Sequence, residues 1–252
     1  MDIVLWLSLA GALAGAMNAL AGGGSFVTLF ALTRAGLPSI VANASSTVAL
    51  YPGSLVSSWA YRKELRSPDE GPLAPVIIIN MIGGLAGALL LLATPERLFD
   101  MVVPWLLLFA TLSFIAGRRV GDALRERIHV GRRAMLVLQF ILGAYGGYFG
   151  GGVGIMTMAV WGLVGTMDLK EMNPAKTVAV AASNTIAVVC FIVARQIAWH
   201  ETIIILVSGV IGGYVGAHLG RRLPAGVVRL CVIAISIIVT VAFFLKSFRY
   251  AG

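Results

Sequence analysis

The feature that most constrains this chain is a series of apolar segments long enough to cross a lipid bilayer. A helix rises 1.5 Å per residue, so about 20 apolar residues span the roughly 30 Å of hydrocarbon. Hydrophobic residues make up 59% of the chain and charged residues only 12%, about half the share found in soluble domains. The sequence therefore predicts an all-α polytopic membrane protein. The predicted spans are 40–61, 73–93, 101–117, 177–194, 202–220 and 228–245.

Two further apolar regions, residues 3–33 and 134–166, have an awkward length. As a straight helix, each would measure about 46–50 Å, which is too long for one crossing and too short for two. A glycine triplet lies near the middle of each region, at 22–24 and 150–152, and each glycine inside a helix costs about 1 kcal/mol relative to alanine. We therefore expect each region to form a re-entrant hairpin broken at its triplet. The irregular backbone must be buried in protein or line a cavity, because lipid satisfies no backbone hydrogen bond.

The chain is an internal duplication, since three blocks recur in the same order at a nearly constant shift. The blocks are the glycine triplets (22 and 150, a shift of 128), NASSTVA at 43–49 with NPAKTVA at 173–179, and IGGLAGALL at 82–90 with IGGYVGAHL at 211–219. A unit of this length exceeds solenoid repeats and fits the two halves of a transporter fold. Each repeat is expected to hold one broken hairpin and three transmembrane helices. The predicted divisions are a first repeat at 1–120, a basic cytoplasmic linker at 121–133 and a second repeat at 134–252.

The basic residues favour an inverted arrangement of the two repeats. The loop at 118–133 is rich in arginine and is therefore predicted to be cytoplasmic by the positive-inside rule. If each broken region returns to its starting side, each repeat crosses three times, the repeats are inverted and both termini lie outside. If each region crosses once instead, the repeats are parallel and the charge bias is smaller. We expect the inverted arrangement, in the cell (inner or plasma) membrane.

Charge also excludes several classes of function. The eleven carboxylates all fall in loops or at the ends of apolar runs, whereas cation transporters and proton pumps usually keep one buried. The net charge of +8 follows from the basic loops beside the spans rather than from a nucleic-acid partner. Two isolated cysteines and three histidines form no metal, disulfide or catalytic motif. We expect no cofactor and no enzymatic activity, and the predicted partners are a small anionic substrate and membrane lipids.

Neutral polar residues beside the glycine triplets form the predicted substrate site. Asn173-Pro174 is typical of an N-cap followed by proline in the first helical turn, and Asn43 occupies the related position. Helix N-termini and glycine breaks present N–H groups and partial positive charge, which favour anions. The two broken hairpins and these helix starts are expected to meet near the bilayer midplane, with Lys176 as an added charge. The predicted substrate-binding residues are Asn18, Gly22, Gly23, Gly24, Ser25, Asn43, Ser45, Ser46, Thr47, Gly150, Gly151, Gly152, Asn173, Lys176 and Thr177.

Several of these residues have alternative roles. Ser45, Ser46 and Thr47 are also suited to hydrogen bonds with their own helix backbone, and Lys176 to extending its ammonium to the membrane surface. Asn18 and Ser25 have apolar counterparts in the second repeat, which leaves open whether the first break is the more polar half of an asymmetric site. The isolated glycines are expected to serve close helix packing; they are Gly83, Gly84, Gly87, Gly212, Gly213 and Gly216.

The two glycine blocks and the text that follows them resemble the TauE/SafE sulfite exporter family, also called the toluene sulfonate uptake permease (TSUP) family. The matching segments are LAGGGSFVTLFALTRAGLPSIVANASSTVAL and YFGGGVGIMTMAVWGLVGTMDLKEMNPAKTVAV, and the resemblance covers essentially the whole chain. The family commonly has proline about five residues after each triplet. Here those positions hold Leu29 and Thr157, so the break after each triplet is expected to have a different shape.

The resemblance implies a secondary transporter that exports a small sulfur-containing anion, such as sulfite or an organosulfonate like sulfoacetate. The residues themselves leave a second interpretation open. Glycine-lined re-entrant loops also build selectivity filters, so the alternative is a passive channel for anions or small solutes.

Overall fold

The structure is a computed structural model that describes residues 2–20, 22–63, 65, 72–125, 131–162, 169–220 and 225–251. For 117–125, 159, 162, 169–173, 219–220, 225 and 248–251 it describes the backbone alone. Throughout these ranges the regular structure is α-helical, which confirms the predicted all-α class. The helices are α1 (Ile3–Leu20), α2 (Gly24–Arg34), α3 (Ser39–Tyr61), α4 (Leu73–Ala93), α5 (Glu96–Arg125), α6 (Arg132–Tyr148), α7 (Val153–Gly162), α8 (Leu169–Val193), α9 (Trp199–Gly220) and α10 (Ala225–Ala251).

Six of the described helices are long and apolar enough to cross a membrane, which confirms a polytopic membrane protein. They are α1, α4, α5, α8, α9 and α10. The set differs from the prediction by one exchange. It includes α1, which was predicted to be part of a broken hairpin, and it leaves out α3, which was predicted as the span 40–61. Helix α1 has 18 residues, about 27 Å of helix, so it is long enough to cross by itself. Helix α3 carries the polar segment NASST and is not among the six.

Both broken regions fold back as hairpins at their glycine triplets. Helix α1 ends before the first triplet and α2 begins at its last glycine. The indole N–H of Trp6, near the start of α1, donates to the carbonyl of Ala31, near the end of α2, at 3.1 Å. In the second region, Met135 at the start of α6 and Trp161 at the end of α7 pack in one buried cluster. Each hairpin therefore joins a helix of 17 or 18 residues to one of 10 or 11.

The chain forms two compact units, and each draws helices from both sequence repeats. Unit 1 comprises Met1–Gly53, Leu92–Thr111 and Phe191–Gly252, and unit 2 comprises Ser54–Leu91 and Leu112–Cys190. Unit 1 thus holds the first hairpin with α9 and α10 of the second repeat. Unit 2 holds the second hairpin with α8 and with α4 of the first repeat. The compact units are therefore not the two sequence repeats themselves.

Glycine contacts pair the first helix of each hairpin with a helix of the other repeat. In unit 1, α1 packs along α9, and a Cβ on Gly15 or Gly212 would overlap the backbone of the facing helix. In unit 2, α6 packs in the same way along α4, where a Cβ on Gly83 or Gly87 would overlap the carbonyl of Phe140 or Ala144. The expected packing role of these glycines is confirmed. In both contacts, residues later in one helix face residues later in the other. The two helices of each pair therefore run parallel.

The predicted starts of two helices are wrong. Helix α3 begins at Ser39 and α8 begins at Leu169, so Asn43 and Asn173 lie inside helices instead of capping them. Pro174 likewise lies inside α8, where its missing N–H removes one hydrogen bond from the ladder. Helices α3 and α5 also contain an internal proline, and membrane helices tolerate this because neighbouring groups satisfy the freed carbonyl. Proline directly precedes α3, α4 and α5, but Pro174 does not mark the start of α8.

Candidate functional site

Each glycine break contains two left-handed glycines, but only Gly22 and Gly150 stand at equivalent positions. Gly22 and Gly23 have φ values of 84° and 90°, and Gly150 and Gly152 have values of 80° and 77°. This left-handed region is costly for residues with a Cβ. The N–H of Gly22 donates to the carbonyl five residues earlier at 2.9 Å, and that of Gly150 does the same at 3.4 Å. The break was therefore duplicated together with the helices that flank it.

At the first break, a side chain uses one of the N–H groups of α2. Asn18 Oδ1 accepts a hydrogen bond from the Gly24 N–H at 2.9 Å, which satisfies one of the free donors at this helix N-terminus. The N–H groups of Gly23 and Ser25 donate to no acceptor among the described residues. Asn18, predicted to bind substrate, thus has a structural partner. Among the described residues, the N–H groups of Gly23 and Ser25 are therefore the open donors at this break.

At the second break, a longer run of donors is open. In the part of the chain that the structure describes, the N–H groups of 151–154 donate to no acceptor. Where the first break has Asn18 and Ser25, this one has Gly146 and Val153, and a Cβ on Gly146 would lie 3.3 Å from the Val153 side chain. An apolar contact therefore replaces the cap. The first break is the more polar of the two, but its Asn18 side chain already accepts a hydrogen bond from the Gly24 N–H.

Lys176 lies beside the second break. A Cβ on Gly154, in the first turn of α7, would lie 3.9 Å from Lys176 Nζ. The half-buried Lys176 side chain also directs Nζ to Met158 Sδ at 3.6 Å, a weak acceptor. Among the described residues, no carboxylate pairs with this ammonium. The amine of Lys176 thus adjoins the open N–H groups within unit 2.

The predicted serines hold helices of unit 1 together. Ser45 Oγ accepts from the Ala198 N–H at 3.0 Å, just before α9 begins. The hydroxyls of Ser46 and Thr28 hydrogen-bond at 2.5 Å, which joins α3 to α2. Both serines are buried. Neither serine bonds its own helix backbone in these contacts, and both connect neighbouring helices instead.

The other predicted polar residues are less informative. Thr47 donates to the carbonyl of Asn43 at 2.9 Å, which is the expected alternative of a bond to its own helix. Asn43 is buried and has hydrogen-bonding or other polar interactions. Thr177 is half-buried, and its carbonyl accepts from the Ser58 hydroxyl at 3.3 Å. The Asn173 side chain lies outside the described residues.

Carboxylates occupy the N-terminus of α3, which sequence reasoning missed. Glu96 Oε1 accepts from the Ile40 N–H at 3.0 Å, and Asp100 accepts from the Ser39 hydroxyl at 2.5 Å. Negative charge is favourable at a helix N-terminus. The carboxylates of α5 therefore occupy the position that the prediction gave to an anionic substrate. An anion at this helix start would meet two carboxylates. The useful signal was the acidic first turn of α5, directly after Pro95.

Comparison with known proteins identifies the family. A sequence profile described as "Sulfite exporter TauE/SafE" matches residues 7–243. The chain belongs to the TauE/SafE sulfite exporter family. Both glycine breaks and Lys176 lie within the matched range.

Relatives of this TauE/SafE protein are named as transporters. It is 27% identical to a "Probable membrane transporter protein" of Haemophilus influenzae over 241 residues, covering 95% of this chain and 93% of that one. It is 26% identical over 212 residues to "Probable membrane transporter protein YfcA" of Escherichia coli K12, covering 84% and 77% of the two chains. A third relative, "Probable membrane transporter protein ORF9" of Sinorhizobium sp, is 25% identical over 244 residues, covering 93% of this chain and 90% of its own length. These names support membrane transport and are consistent with a protein that is not an enzyme.

Proposed function

We propose that this TauE/SafE protein is a secondary transporter that exports a small sulfur-containing anion across the cell (inner or plasma) membrane. The substrate class is sulfite or an organosulfonate such as sulfoacetate. The family description supports the substrate class, and the names of the relatives support transport. The observation that carries the proposal is the Lys176 ammonium beside the open N–H groups at 151–154.

The chemistry of this arrangement suits an oxyanion. Consecutive N–H groups with glycine φ values above zero form an anion-binding concavity, and the absence of side chains allows an oxygen to approach the backbone closely. The Lys176 ammonium adds a charge-assisted hydrogen bond. Because most of the donors are neutral, binding stays weak enough for release on the other side.

The first break contributes in the same way within unit 1, through the N–H groups of Gly23 and Ser25. Asn18 fixes the geometry of this break through Gly24. Ser45 and Ser46 act by positioning α3 against its neighbours. Gly22, Gly24, Gly150, Asn43, Thr47, Asn173 and Thr177 remain proposed members of the substrate path as residues of the breaks or as neutral donors.

Export needs no second ion in this proposal. A monoanion that leaves a cell with a membrane potential of about −100 mV gains about 2.3 kcal/mol. The hairpins return towards their starting ends. With α3 taken as a crossing helix, each repeat would cross three further times and the two repeats would be inverted. Rocking of the two repeats around the bound anion would then provide alternating access.

Sulfite efflux from proteoliposomes tests the proposal, with purified wild-type protein, Lys176→Met and the matched control Lys246→Met. Loss of a charge-assisted hydrogen bond costs about 1.5–3 kcal/mol, so Lys176→Met should weaken apparent sulfite affinity about 10- to 150-fold. The control removes the same charge from α10 and should behave as wild type. Equal affinity in all three proteins would contradict the site.

The same vesicles separate a carrier from a channel. A carrier shows saturable efflux that unlabelled external sulfite accelerates by counterflow. Conductance steps without counterflow would instead identify a passive anion channel.

A further inference from the structure

Unit 2 buries three polar side chains that have no hydrogen-bond partner among the described residues. They are the amides of Asn80 on α4 and Gln139 on α6, both fully buried, and the indole N–H of Trp161 on α7, whose residue is 3% exposed. Buried polar groups are nearly always hydrogen-bonded, because an unpaired group loses its interaction with water and gains nothing in return. Such a concentration of unpaired groups indicates that something else binds there.

The two amides lie at the same contact between α4 and α6. A Cβ on Gly143 would fall 2.5 Å from Asn80 Oδ1, so the Asn80 amide rests against α6 at this glycine. Gln139 precedes Gly143 by four residues, which places it one turn away on the same face of α6. The amides are thus neighbours across the helix pair, about one helical turn apart.

The indole belongs to the same region of unit 2. Trp161 packs in a buried cluster with Val76 and Met135. Val76 precedes Asn80 by one turn on α4, and Met135 precedes Gln139 by one turn on α6. The three unpaired groups therefore lie along the contacts of α4, α6 and α7, spread over one to two helical turns, or about 5–11 Å along the helices.

Helix packing does not require polar groups at these positions. The equivalent residues in unit 1, at shifts of 128 or 129, are Gly11, Gly209 and Thr33. There α1 and α9 pack through backbone contacts, since a Cβ on Gly209 would lie 3.5 Å from the Gly11 carbonyl. The Thr33 hydroxyl donates to carbonyls of its own helix. One copy of the duplication thus forms this contact without an unpaired group, so the amides of the other copy serve a different purpose.

We propose that Asn80, Gln139 and Trp161 form a second anion-binding site inside unit 2. The three side chains carry five N–H donors and only two acceptor oxygens, and they include no charged group. This excess of donors matches a small oxyanion with several acceptor oxygens, and the lack of a carboxylate is unsuited to a cation. The inference rests on the proposed function, because the ligand is the transported class of anion.

The position of the site fits a path that also passes the second glycine break. The Trp161 cluster includes Ala175 and Ala179 of α8, and Lys176 follows Ala175 directly. Helix α8 therefore contributes to both anion sites of unit 2. Transport through several weak sites allows each one to release its ion to the next.

Thermal unfolding of the full-length protein in detergent, with and without sodium sulfite, tests the inference. The variants Asn80→Leu and Gln139→Met remove the polar atoms and keep the side-chain shape, whereas Trp161→Phe removes the indole N–H together with part of the ring. The first two should raise the melting temperature without ligand, because an unpaired group is gone, and Trp161→Phe should lower it because it leaves a cavity. All three should reduce the sulfite-dependent rise by more than half. The control is Thr111→Val in unit 1, where Thr111 and Thr240 hydrogen-bond at 3.1 Å. It should lower the melting temperature and keep the full sulfite-dependent rise.

The outcomes separate this site from the proposed function. A full sulfite-dependent rise in the variants that fold would overturn the second site and would mean that water satisfies these groups. If that result accompanies a loss of the rise in Lys176→Met, the proposed function stands without the second site. If wild-type protein shows no rise with sulfite, thiosulfate or sulfoacetate, both proposals are wrong.

Discussion

The Glu96 carboxylate accepts a hydrogen bond from the Ile40 N–H at 3.0 Å, and this contact closes the N-terminus of α3 to anions. Capping residues contribute about 1 kcal/mol to stability. Glu96→Ala should therefore lower the free energy of unfolding by about 1 kcal/mol, measured by chemical denaturation in detergent. Glu96→Gln keeps an acceptor oxygen without the charge and should lose less. Tighter sulfite binding in Glu96→Ala would show that this helix start belongs to the substrate site after all.

Asn18 should act on stability through the first glycine break. Its Oδ1 caps α2 through the Gly24 N–H, so Asn18→Leu should cost about 1 kcal/mol in unfolding free energy. Asn18→Asp keeps the acceptor and should preserve stability, while its negative charge should weaken sulfite binding. A stable Asn18→Leu protein with unchanged unfolding would contradict the cap.

Substitution of Gly22 and of Gly53 by alanine should change stability in opposite directions because their backbone conformations differ. A Cβ on Gly22 and one on Gly53 would each meet no atom within 4 Å, but only Gly22 has a positive φ, of 84°. Gly22→Ala should destabilise the protein by about 1–2 kcal/mol because the left-handed region is costly for alanine. Gly53→Ala, inside α3, should stabilise it by up to about 1 kcal/mol. Similar melting temperatures for the two variants would argue against the left-handed geometry of the break.

Substitution of Gly212 by alanine should destabilise the protein more than the same substitution of Gly226, because only Gly212 is in close contact with another helix. A Cβ on Gly212 would overlap the Ala12 backbone, whereas one on Gly226 would meet nothing within 4 Å. Gly212→Ala should force α1 and α9 apart and cost about 1–3 kcal/mol. Gly226→Ala, near the start of α10, is the matched control and should change the unfolding free energy little. A neutral Gly212→Ala would mean that α1 and α9 are not in backbone contact.

The sequence predicted those parts of the fold that depend on local composition. Hydropathy located five of the six described helices that are able to span, but it chose 40–61 where the structure has α1. The triplets at 22–24 and 150–152 located the breaks, since three glycines outweigh any local helical preference. The sequence did not predict the α3 cap, because the carboxylates of Glu96 and Asp100 come from a helix distant in the chain. The start of α8 was misjudged because Pro174 lies inside the helix.

The substrate-binding role of the predicted site residues stays a prediction, and the structure gives only their placement. Lys176 was expected near the anion, and the structure places it beside Gly154. Ser45 and Ser46 were chosen for their polarity, but polarity does not distinguish a ligand from a helix contact. Asn80 and Gln139 were missed, although each is an isolated amide within an apolar run. That pattern was the available signal, and only the helix pairing places the two side by side.

The pairing of α1 with α9 and of α6 with α4 means that neither half of the gene encodes a closed set of contacts. During synthesis, α1 can meet its glycine-matched neighbour α9 only after the intervening helices have been made. A single copy of the repeat would have one glycine-lined helix without its packing partner in the same polypeptide. Such a copy could complete this packing only by pairing with a second copy, whereas the duplicated chain supplies both partners in one polypeptide.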